Sequence, residues 1–75
     1  MTTADILMER ALALASEQIE PEQAVQELLA ASGDRRVAVV LARRHLVEQQ
    51  EEDPDAQTGR AVDLLDQVLS RIPED

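Results

Sequence analysis

Apolar residues recur at helical spacing in four stretches of this chain, and proline, glycine or acidic residues stand between the stretches. The first runs from Thr2 to Ile19, with Leu7/Ala11/Leu14 on one row and Met8/Leu12/Ala15/Ile19 on the next. Rows offset by three and four residues merge into a stripe wide enough to face a core. Thr2 and Asp5 have the spacing of a capping box, with Asp in place of the usual Glu. Pro21 disfavours helical geometry at Glu20, so a helix is predicted over about 3–19.

The second stretch begins at Pro21, which suits a first helical position because its missing N–H has no partner to lose there. Ala24, Val25, Leu28 and Leu29 form its apolar face, Ile19 reaches back as a hydrophobic staple, and Gly33 supplies the stop. This gives a helix over 21–32. Asp34 reads as the N-cap of a third helix, 35–52. Its front half, Val37-Ala38-Val39-Val40-Leu41-Ala42, is apolar on every side. A buried strand is the alternative for so short a run. Helix is preferred because no second strand candidate exists to pair with it, and Leu46 and Val47 continue the helical spacing.

The fourth stretch follows Asp53-Pro54 and starts somewhere between Pro54 and Arg60, with Gly59 blurring the boundary. Ala61/Leu64/Leu65/Val68/Leu69/Ile72 is the cleanest amphipathic stripe, and Pro73 ends it. The helix is placed at about 56–72. Short connections favour antiparallel neighbours. The expectation is an all-α fold: one domain over residues 1–75, a small antiparallel bundle of three to four helices.

Composition sharpens this picture. The 75 residues include no aromatic, no cysteine and no lysine, so the core must be built from aliphatic side chains. A domain of this size buries only about 60% of the surface its unfolded chain exposes. No disulfide is available as a staple, which points to self-association. The all-apolar front of the third helix is where a second copy is expected: Val37, Val39, Val40 and Leu41 are the predicted homodimer interface, a two-fold patch meeting itself.

The net charge is −9, unfavourable for phosphate backbones and anionic membranes. No apolar run approaches the length of a membrane span. The apolar stretch from Ile6 to Ala15 is interrupted by Glu9 and Arg10 and preceded by Asp5, so it does not read as a signal peptide. The expected location is the cytoplasm, and an all-arginine basic set is the usage expected of a GC-rich bacterial genome.

Chemistry is scarce. His45 is the only imidazole, and Ser16, Ser32 and Ser70 have no neighbouring base to activate them. No catalytic residue, metal ligand or cofactor is assigned. The run Glu51-Glu52-Asp53-Pro54-Asp55 fails as a calcium loop, because Thr58 and Leu64 stand where such a loop needs Gly and Glu. His45, three residues before Glu48, is expected to be partly exposed and bonded to it.

Charge is unevenly spread. Residues 34–47 carry +3, whereas 1–33, 48–59 and 60–75 carry −5, −5 and −2. Arg35, Arg36, Arg43 and Arg44 thus form a basic island. Only Arg44 has a helical partner, Glu48, and Arg35 and Arg36 begin a helix, where the dipole disfavours cations. The expectation is that these arginines pair with carboxylates of neighbouring helices or of a second subunit. The favoured function is a non-catalytic protein-interaction or regulatory module acting as a homodimer. The alternatives are a nucleic-acid-associated regulator using the arginine island, and a bundle that binds a metal or small ligand.

Overall fold

The structure, a computed structural model, describes residues 2–17 and 19–73. Four helices account for 83% of the described residues, and there is no strand among them. They are α1 (Thr3–Ser16), α2 (Pro21–Ser32), α3 (Arg36–Glu52) and α4 (Ala56–Arg71). The run from Val37 to Ala42 is helical, which resolves the strand alternative. No helix of the described residues is long and apolar enough to cross a membrane.

Local chemistry explains most helix ends. Thr2 caps α1: its hydroxyl accepts from the Asp5 N–H, and the Asp5 carboxylate accepts from the Thr2 N–H, each at 3.2 Å. These two bonds satisfy donors that the first turn leaves orphaned. Pro21 opens α2, and Gly33 closes it with φ +58°, a left-handed conformation that glycine adopts without steric cost. Asp55 caps α4 by accepting from the Gln57 N–H at 2.8 Å.

Two boundaries differ from the sequence-based expectation. Helix α1 ends at Ser16 rather than near residue 19, because its last carbonyls find partners without a further turn. Ser16 donates to the Ala13 carbonyl, the Glu17 N–H to Leu14, and Arg60 of α4 to Ala15. Gln18, within the stretch expected to be helical, lies outside the described residues. The second correction concerns Asp34, which does not cap α3. It adopts φ +62° directly after Gly33, its N–H donates to the Ser32 hydroxyl, and Arg35 becomes an N-cap with no side-chain capping bond.

One aliphatic core joins the helices. Leu7, Val25, Leu28, Val39, Leu46, Leu65 and Val68 are its largest fully buried apolar side chains. Alanines at 11, 15, 24, 38, 42 and 61 let the helices approach closely in the absence of any aromatic filler. Contacts between elements are densest for α3 with α4 and for α1 with α4, and sparsest for α2 with α3. Side-chain bonds show how the ends meet. The first turn of α3 lies beside the last turn of α4, where Arg36 donates to the carbonyls of Leu69 and Ile72 at 3.2 and 3.0 Å. The first turn of α4 lies beside the end of α1, where Gln57 donates to the Leu12 carbonyl at 2.7 Å and Arg60 to Ala15 at 3.1 Å.

Candidate interaction surface

The front half of α3 resolves into two faces. Val39 shares a row with Ala42 and Leu46 (steps of three and four residues), and all three are fully buried. Val39 therefore belongs to the chain's own core and is removed from the expected dimer interface. Val37, Val40 and Leu41 point the other way and remain 72%, 43% and 42% exposed. They are neighbours on one helical surface, being three and four residues apart. Apart from Ile6 on α1, no other large apolar side chain of the described residues is so exposed.

Beside this face lies an open groove of about 550 Å³. Its apolar lining comes from Ala4, Val37, Ala38, Leu41, Ile72 and Pro73, and its polar rim from Thr2, Thr3, Asp34, Arg35 and Arg36. The groove forms because three chain ends converge: the start of α1, the start of α3 and the exit from α4. Two of its three sides, residues 2–4 and 72–73, read in the sequence only as helix ends, since they are far from α3 along the chain. The usable signal was the Asp53-Pro54 turn. Residues at similar distances on either side of it, such as Arg36 with Ile72 and Arg43 with Asp66, meet across α3 and α4.

The four arginines of the island have separate fates. Arg43 forms an ion pair with Asp66 of α4, and Arg44 one with Glu48 at 3.7 Å on α3 itself. Arg36 binds the two carbonyls at the close of α4. Its position at the start of α3 is unfavourable for that helix dipole, but the guanidinium reaches the C-terminal end of α4, where positive charge is favoured. Arg35 is exposed and makes one long bond, 3.5 Å, to the neutral Thr3 hydroxyl. Glu48 pairs with Arg44, and no bond joins it to His45, which is exposed.

A polar link between α2 and α4 is one that sequence spacing did not suggest. Arg71 of α4 grips Glu22 of α2 through both guanidinium nitrogens, one contact being 2.7 Å. The hydrogen bonds from Arg71, aided by Gln26, hold the Glu22 carboxyl below its ordinary range, and the same pairing raises Arg71. At α1, the Thr2 N–H and hydroxyl hold the Asp5 carboxyl below its ordinary range, with His45 adding a small contribution.

The described residues contain no group of three or more His, Cys, Asp or Glu able to hold a metal ion. The hydroxyls of Ser16, Ser32 and Ser70 each donate to the carbonyl three residues earlier. No protein-family model, curated protein or solved structure matches the chain.

Proposed function

We propose that this protein is a non-catalytic interaction or regulatory module of the cytoplasm. It works as a homodimer of antiparallel helical bundles, joined through the outer face of α3. The observation carrying this reading is the exposure of Val37, Val40 and Leu41 together on one face of α3, where, with Ile6 of α1, they are the most exposed large aliphatic side chains of the described residues. Contiguous exposed apolar surface on a small domain is characteristic of interaction sites. A second copy is an inexpensive source of the burial that 75 residues without aromatics or disulfides lack.

The absence of catalysis is supported by the side chains themselves. The serine hydroxyls are spent on local carbonyls, the one histidine is exposed, and no cysteine exists. A nucleophile needs an adjacent base to be activated, and the three described serine hydroxyls are bonded to carbonyls rather than to a histidine or carboxylate. Sedimentation of Val40→Glu tests the reading. Val40 is 43% exposed, so the variant should keep its helicity while its dimer dissociates. Dimerisation as tight as that of the unmodified chain would refute the assignment of this face.

A further inference from the structure

Asp34 and Arg35 stand side by side on the rim of the α3 groove. The Asp34 carboxylate enters no ion pair or hydrogen bond among the described residues, and Arg35 has only its long bond to the neutral Thr3 hydroxyl. Around them the island is already engaged: Arg43 by Asp66, Arg44 by Glu48, and Arg36 by the end of α4. What remains at the groove is one acid and one base, both seeking a partner. The chain as a whole is strongly acidic, with a net charge of −9. The charged residues on the groove rim, Asp34, Arg35 and Arg36, sum to +1, so they do not add to the repulsion between two acidic copies.

We propose that the occupant of this groove is a second copy of the chain, docked about a two-fold axis at the groove mouth. Val37 of each copy enters the groove of the other, and Asp34 of each faces Arg35 of the other. The inference rests on the homodimer reading and adds what fills the groove and what fixes the register. Two features select a second copy over another occupant. A two-fold interface presents one patch to itself, so its rim must be self-complementary, and adjacent residues of opposite sign satisfy that. A partner of one sign would leave either Asp34 or Arg35 facing like charge. The groove also lies directly beside its own knob, since Val37 lines it and is 72% exposed. Rotation about an axis at the mouth brings each knob to the opposite hole.

A charge swap tests this by sedimentation equilibrium. Asp34→Arg alone sets two guanidinium groups against each other across the interface, and Arg35→Asp alone sets two carboxylates together. Each variant should dimerise about ten-fold or more weakly than the unmodified chain, because like charges meet twice per interface. The loss should shrink in high salt. Mixed in equal amounts, the two variants should form a heterodimer of near-original affinity.

Arg35→Asp also supplies the missing N-cap of α3, so its weaker dimerisation would not reflect a weaker fold. Position 34 has φ +62°, and Asp34→Arg is the variant at risk of misfolding. Should it misfold, Asp34→Asn added to Arg35→Asp takes its place, since Asn tolerates this conformation and removes the carboxylate clash. That double variant should dimerise more tightly than Arg35→Asp alone.

Unchanged dimerisation of the single variants would overturn the proposal and leave the groove to a different protein or a small ligand. So would a mixture as weak as its components, or a double variant no tighter than Arg35→Asp. A monomeric unmodified chain would instead defeat the homodimer reading itself.

Discussion

Val37 and Val39 are the same residue type two positions apart on α3, with 72% and 0% exposure. Val39→Ala removes two methyl groups from a site with no solvent access. At about 0.8 kcal/mol per buried CH₂, with a further cost for the cavity left behind, the loss is about 2–3 kcal/mol. Alanine returns about 0.5 kcal/mol through its higher helix propensity, leaving a net destabilisation of about 2 kcal/mol. For 75 residues, total stability is on the order of 4–11 kcal/mol. The change should lower the melting temperature by about 8–16 °C.

Val37→Ala removes the same atoms from a side chain that is mostly in water. In dilute protein it should be neutral or stabilising by about 0.5 kcal/mol, and its cost should emerge only at concentrations where the dimer forms. Urea denaturation at low and high protein concentration measures both effects, with the m-value as a check that the unfolding transition is unchanged. Equal destabilisation by the two variants in dilute protein would refute the division of α3 into a core face and a docking face.

The other predictions concern backbone, pH and charge. Gly59 sits inside α4, and a Cβ there would meet only the Gln50 amide at an ordinary 3.5 Å. Gly59→Ala should therefore stabilise by about 0.5–1 kcal/mol in a thermal melt, whereas Gly33→Ala, at φ +58°, should destabilise by about 1–2 kcal/mol. Asp5 is held below its ordinary range by Thr2. Its contribution is complete above the unfolded-state pKa and lost as pH falls through the depressed folded value. The destabilisation caused by Asp5→Ala should thus be full at neutral pH and fade below about pH 4; a pH-independent gap between the two melts would contradict the capping box. With Arg36, Arg43 and Arg44 engaged within the chain, fluorescence anisotropy should detect no DNA or RNA binding at low salt. Salt-sensitive binding abolished by the double change Arg35→Gln and Arg36→Gln would revive the nucleic-acid reading.

The helices were legible in the sequence because their signals are local. The Thr2/Asp5 box, Pro21, Gly33 and Asp55 act within a few residues, and the α4 stripe from Ala61 to Ile72 is buried apart from the half-exposed Leu69. Errors arose where a distant side chain changed a local outcome. Arg60 satisfies a carbonyl at the end of α1, which helps that helix stop at Ser16. Val39 could not be separated from Val37 and Val40 by hydropathy, since all three are valines. Only the direction of the core, set by Leu46 and Ala42 against the neighbouring helices, distinguishes them. The groove was invisible for the same reason: residues 2–4, 34–38 and 72–73 meet only in the folded chain. The basic island was visible as charge, but its partners were not. Several are supplied by α4 and its exit, and two of them are backbone carbonyls.

Sedimentation equilibrium of the unmodified chain across the micromolar range tests the central claim most directly. A self-association driven by Val37, Val40 and Leu41 predicts a mass that rises with concentration to twice the 8.3 kDa of one chain. A single 8.3 kDa species at every accessible concentration would contradict it.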